Sequence, residues 1–235
     1  MSTADVLLVL QSLDLEIDHL TRQIASPPEL VPFEAARRTA EATGAALESA
    51  GSEQRQVEAE WTSTEAACAE IDRQVERLQK QLRTVVVVRE AEALQHELVT
   101  LAQRRSELDD VGLVALDRLE ALAAQRAEFE ARLPGEQEAQ AQARAALEAA
   151  RAELRDRRER CVIDRAAQAA LVPAAVLTRY EQLRQHLGGM GVAVLDGTRC
   201  TGCRLDVSRG ELEQLRAAPA DDLVECPNCG RLLVR

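Results

Sequence analysis

Thr84-Val85-Val86-Val87-Val88-Arg89 stands between two long apolar stripes, and the fold turns on how it is read. Four consecutive β-branched residues suit a helix poorly, because branching at Cβ restricts χ1 against the preceding turn. On the N-terminal side a stripe runs from Leu47 and Ala50 through Gln54, Val57, Trp61, Thr64, Cys68, Ile71, Val75 and Leu78 to Leu82. On the C-terminal side one runs from Leu94 through Leu98, Leu101, Arg105, Leu108, Gly112, Ala115, Leu119, Leu122, Arg126 and Phe129 to Leu133. Both alternate steps of three and four, which gathers the positions on one helix face. Two such faces around a short helix-averse run predict an antiparallel hairpin with its tip near 84–89.

Outward from the tip, no proline occurs between Pro32 and Pro134. Each uninterrupted arm is about 50 residues, or about 75 Å at 1.5 Å per residue. Pro27, Pro28 and Pro32 on one arm and Pro134-Gly135 on the other lie at similar distances from the tip, so a joint is expected near 27–32 and 134–135. Beyond it Val6, Leu10, Leu13, Ile17, Leu20 and Ile24 form another stripe. Their expected partner is the weaker series Leu147, Ala150, Leu154 and Cys161. Pro173 ends that stretch, and a shorter helix carries Val176, Tyr180, Leu183 and Leu187 on one face before Gly188-Gly189-Met190-Gly191 stops it. The expectation for 1–187 is a bent coiled-coil helical hairpin.

Composition agrees with a thin core. Aromatic residues are 2% of the chain, too few for a compact globule of 235 residues, whereas Ala, Leu and Val dominate the apolar 46%. Forty acidic and 29 basic residues give a net charge of −11. Residues 199–235 hold six of each sign, so the remainder carries the whole excess and repels phosphate. The N-terminus has no basic region and an apolar run of only five residues, so neither a signal peptide nor a membrane span is expected, and the expected location is cytoplasmic.

Cys200-Thr-Gly-Cys203 and Cys226-Pro-Asn-Cys229 set the reading of the C-terminus. Two Cys-x-x-Cys pairs supply four thiolates, the closed tetrahedral set of a structural Zn²⁺. Gly202 and Gly230 sit where such turns often take positive φ. Strand-like flanks at 192–195, 204–207, 223–224 and 232–234 make 192–235 a small β zinc ribbon, with Ser208 to Glu211 as a capping box opening a short helix. The expected cofactor is one Zn²⁺ per chain, with a structural role. A thioredoxin-like redox role lacks its βαβ setting. Cys68 and Cys161 read as small apolar stripe residues, and His186 as an exposed helix residue, since four thiolates already complete the site.

Arg89-Glu-Ala-Glu-Ala-Leu94-Gln-His-Glu97-Leu98 after the tip, Tyr180-Glu-Gln-Leu-Arg184, Gly188-Gly-Met-Gly191-Val-Ala-Val194 and the two cysteine pairs together resemble one bacterial family. Its members are coiled-coil proteins with a C-terminal four-cysteine zinc ribbon, long catalogued as a domain of unknown function. The resemblance implies a bent helical hairpin ending in a ribbon. It also implies non-catalytic roles, which in some members include association with an alternative sigma factor, secretion or flagellar regulation, and RNA binding. Ala91 stands where many members carry a tyrosine beside the tip glutamate.

No grouping of nucleophile, base and oxyanion donors emerges, so an enzyme is not expected. The reading is a non-catalytic zinc-binding adaptor or regulator that binds a protein partner through its tip and its ribbon, with Val87, Val88, Arg89 and Glu90 as the tip contacts. The alternative is a regulator whose ribbon binds RNA or DNA through Arg199, Arg204, Arg209, Arg216, Arg231 and Arg235, although no aromatics are interleaved for base stacking. Because a hairpin covers its own stripes, a monomer is expected.

Overall fold

The computed structural model describes residues 2–219 and 223–235. Helix α1 (Thr3–Ala25) starts at a capping box: the Ser2 hydroxyl accepts from the Asp5 N–H at 3.2 Å, and the Asp5 carboxylate accepts from the Ser2 N–H at 3.0 Å. Ser26 and Pro27 stop it. The Leu30 N–H, donating to the Pro27 carbonyl at 3.0 Å, opens α2 (Leu30–Leu82). Pro32, placed by the sequence within the joint at 27–32, does not lengthen the break. It lies in the first turn of α2, where its missing N–H has no intrahelical partner to lose. After the reversal, α3 (Val88–Ala169) runs for 82 residues, then α4 (Ala174–His186).

At Pro134 the second arm keeps its helix, where an interruption was expected. Helix α3 passes through Pro134-Gly135 without a break, so only the first arm is interrupted. The proline leaves the Glu130 carbonyl without its donor, at a cost of about 3 kcal/mol relative to alanine. Arg132 spans the site, pairing with Glu128 at 3.4 Å and Glu136 at 3.1 Å. The exposed Glu128 pair contributes little, while Glu136 is half-buried.

The chain divides into two bodies, Val31–Ala143 and the combination of Met1–Leu30 with Arg144–Arg235. In Val31–Ala143 the two arms run antiparallel. Arg105 reaches Asp72 at 3.2 Å, Arg118 pairs with Glu53, and Arg126 donates to the Gln54 side chain at 2.7 Å. Stripe residues such as Val57, Trp61, Leu94 and Leu108 are half-buried, while Ala50, Cys68, Ile71 and Leu122 are buried. A seam between two helices covers each side chain from one direction only, which is why so few are fully enclosed.

In the other body, α1 lies beside the C-terminal part of α3 and α4, and the ribbon closes the same core. The sheet has the order β2-β1-β4-β3, with β1 (Val192–Asp196), β2 (Arg199–Cys200), β3 (Val224–Glu225) and β4 (Leu232–Val234). Its central strands β1 and β4 pair in parallel, Val192 opposite Leu232. Of the four expected strand segments, 204–207 keeps only a single bridge, Asp206 to Arg199. The capping box at Ser208 opens α5 (Arg209–Ala217) as expected. Among the described residues no helix is long and apolar enough to cross a membrane.

Candidate metal centre

The two cysteine pairs sit on matching turns. In the first, the Arg204 N–H donates to the Cys200 carbonyl at 2.8 Å; in the second, the Gly230 N–H donates to the Cys226 carbonyl, also at 2.8 Å. The residue after the second cysteine takes positive φ in both, 60° at Arg204 and 73° at Gly230. Gly230 therefore plays the part its sequence position indicated, and Gly202 does not. Gly202 is required by crowding: a Cβ there would lie 2.6 Å from Arg231 Cδ and 3.0 Å from Ala193 Cβ. That close approach brings the first turn over the entry to β4 and aims both cysteine pairs at one point.

All four sulfurs lie within 4.8 Å of one another, and Cys203 Sγ is 3.9 Å from Cys226 Sγ. A regular tetrahedron with metal–sulfur bonds of about 2.3 Å has edges of about 3.8 Å, so the spacing fits a four-thiolate metal site. Cys200 and Cys226 are buried and Cys203 and Cys229 half-buried. Burial pushes the Cys226 thiol up to about 12. For Cys229 burial acts the same way, but the Arg231 backbone N–H and side chain outweigh it and bring the thiol down to about 7. Burial disfavours the Cys226 thiolate, and a bound cation would offset that cost.

His186 stays outside the site. Its Nδ1 lies 2.7 Å from the Gln182 carbonyl on its own helix, and the ring is exposed. Cys68 is buried on its stripe as read; Cys161 is only half-buried.

Sequence reasoning missed the seat of the ribbon. The Gln11 side chain accepts from the Val192 N–H at 2.7 Å, and Asp14, 2% exposed, accepts from the Tyr180 hydroxyl at 2.8 Å and from Arg165 Nε at 3.0 Å. Arg184 approaches Asp14 at 3.5 Å and bonds to Asp18 at 2.9 Å. Burial and the neighbouring Asp14 carboxylate hold the Tyr180 hydroxyl firmly protonated. From the ribbon, Arg231 donates to the Leu187 and Met190 carbonyls at 2.8 and 3.0 Å. Arg179 of α4 pairs with Glu225 at 2.8 Å. A polar pair one turn apart inside an apolar helix face, Gln11 and Asp14, was the available signal.

At the tip, the chain reverses over residues 83–87, and Val86, Val87 and Val88 are 94%, 55% and 73% exposed. Arg89 and Glu90, which open α3, are exposed too. The Val87 carbonyl accepts from the Glu90 and Ala91 N–H groups, each at 3.1 Å, so the valine turn itself starts the second arm.

Residues 10–188 match the family described as the CT398-like coiled coil hairpin domain. The chain belongs to that family. Residues 199–233 match the C4-type zinc ribbon domain. Two Mycobacterium tuberculosis proteins, both described as uncharacterized, are 38% identical over 142 residues, which is 60% of this chain and 58% of theirs. The match thus spans under two thirds of those relatives' length. A solved structure from Mycobacterium smegmatis is 29% identical, with a TM-score of 0.80 over the whole of both chains. CT398 itself, from Chlamydia trachomatis, superposes with a TM-score of 0.85 at 17% identity, over 99% of this chain and 97% of its own. The HP0958 protein of Helicobacter pylori gives 0.61 at 15% identity, over 99% and 96%. At those last two identities the likeness is one of fold alone.

Proposed function

We propose that the chain is a non-catalytic adaptor that binds a protein partner through the hairpin tip and through the ribbon. One Zn²⁺ per chain, held by Cys200, Cys203, Cys226 and Cys229, gives the ribbon its shape. The observation that carries this reading is the tip. Three adjacent valines stand in solvent at the end of a highly charged arm. Among the described residues Lys80, Arg83 and Arg89 beside them form no ion pair. Exposed apolar groups ringed by polar ones mark contact sites. Val87 and Val88 supply the apolar contact, and Arg89 and Glu90 the polar rim. The protein works in the cytoplasm as a monomer.

The alternative, nucleic acid on the ribbon, draws less support. Arg231 is committed to the Leu187 and Met190 carbonyls, Arg199 to the Arg204 carbonyl at 2.7 Å, and Arg235 to the Ala218 and Pro219 carbonyls at 3.0 and 2.6 Å. Three of the six arginines thus hold the ribbon together, and the six acidic residues of 199–235 offset the charge of all six.

A photo-crosslinking amino acid at position 87, installed in the native cell, tests the proposal. A single protein adduct is expected, and Val87→Ser with Val88→Ser should weaken binding of that purified partner several-fold at unchanged melting temperature. RNA adducts, or undiminished binding by the double variant, would overturn it. Elemental analysis of anaerobically purified protein should return one zinc per chain.

A further inference from the structure

The middle of the hairpin differs from the rest of the seam. There the α3 stripe is reduced to Gly112 and Ala115, while larger apolar side chains stand beside it. Val111 and Val114 occupy one flank and Leu113 and Leu116 the other, each between 44% and 69% exposed. Flanking positions of a two-stranded coiled coil are usually charged, because water reaches them. Two grooves result. One, of about 550 Å³, is walled by Trp61, Leu108, Gly112, Leu113 and Leu116. The other, of about 390 Å³, is walled by Val57, Val111, Val114 and Ala115. A Cβ on Gly112 would meet nothing within 4 Å. No neighbouring side chain therefore demands glycine, the poorest helix former after proline, and it leaves a hollow in the groove floor.

The rims are acidic. Residues 53–72 and 105–120, which face each other through the Arg118–Glu53 and Arg105–Asp72 pairs, contain eleven carboxylates and three arginines, of which Glu65, Asp72, Asp109 and Arg105 line the first groove and Glu60, Asp110 and Arg118 the second. Arg105 is engaged with Asp72 and Asp109 and Arg118 with Glu53, and the lining of each groove keeps an acidic excess. The first groove extends over residues 105–116 of α3, about 16 Å or three helical turns.

We propose that this middle section is a docking site for a basic amphipathic helix of a protein partner, its apolar face in the groove between Trp61 and Leu113 and its lysines and arginines on the acidic rims. The mode is that of a helix laid in an apolar groove. Phosphate polymers are repelled by the same rims. A second copy of this chain, joined through the same surface, would set acidic walls against acidic walls. The site is separate from the tip and stands whether or not the tip binds.

The test uses full-length, zinc-loaded protein and an 18-residue synthetic peptide, leucines at helical spacing on one face and lysines elsewhere. A scrambled peptide of the same composition and a glutamate-for-lysine analogue serve as controls. Trp61, the chain's single tryptophan, reports directly from the first groove. The helical lysine peptide should shift Trp61 emission and bind about tenfold or more tightly than either control, a difference of about 1.4 kcal/mol. Leu113→Ser with Val114→Ser should abolish that preference at unchanged melting temperature. Gly112→Leu, filling the hollow, should weaken binding while raising the melting temperature, and Val87→Ser with Val88→Ser should leave binding intact. The proposal falls if the scrambled peptide binds equally, if Trp61 does not respond, or if sedimentation shows a dimer that Leu113→Ser with Val114→Ser dissociates.

Discussion

Arg204 holds a conformation that its counterpart in the second cysteine turn gives to glycine. At φ 60° an L-residue is strained by about 1 kcal/mol, and the guanidinium makes no ion pair among the described residues to offset it. Arg204→Gly should therefore stabilise the ribbon by roughly 0.5–1 kcal/mol, less what glycine adds to the freedom of the unfolded chain, measured as a higher chelator concentration at half-unfolding. Gly202→Ala should do the reverse. Its new methyl meets Arg231 Cδ at 2.6 Å, and Arg231 cannot swing away while it bonds two carbonyls. A loss of about 1–3 kcal/mol is expected. Asp14→Ala should cost about 3 kcal/mol in urea unfolding, because Tyr180 and Arg165 lose a buried acceptor together. Asp14→Asn keeps one acceptor oxygen for Tyr180 and should cost less.

Helices α2 and α3 owe their length to pattern, their ends to proline and valine. The same pattern misled at Pro134, where a residue that should end a helix sits inside one. Pro134→Ala restores a donor to the Glu130 carbonyl and should raise stability by up to about 3 kcal/mol with little change in helix content. If helix content instead rises by many residues, the segment around 134 is not continuous in solution. In α5 the box between Ser208 and Glu211 was readable from four letters, because the capping bonds are local. Ser208→Ala should cost the ribbon about 1 kcal/mol.

For the molecule, the ribbon and the helices beside it share one core: Val192 and Leu232 of the sheet pack with Val6, Leu10, Tyr180 and Leu183. Removing the metal should therefore destabilise α1 and α4 as well as the ribbon. Hydrogen exchange after chelation should show protection falling across 1–30 and 170–235 while 31–143 keeps its own; equal loss everywhere would contradict the division into two bodies. The sequence determined by itself the hairpin, its reversal at the valines and the four thiolates, because heptad spacing, β-branching and Cys-x-x-Cys turns each act within a few residues. It could not place Gln11, Asp14 and Tyr180 together, since those contacts join residues 166 and 181 positions apart. Nor could it show that Pro134 is tolerated or that Gly202 answers crowding. Those outcomes depend on which distant side chains and backbones the folded chain brings into contact, and only the tertiary structure decides that.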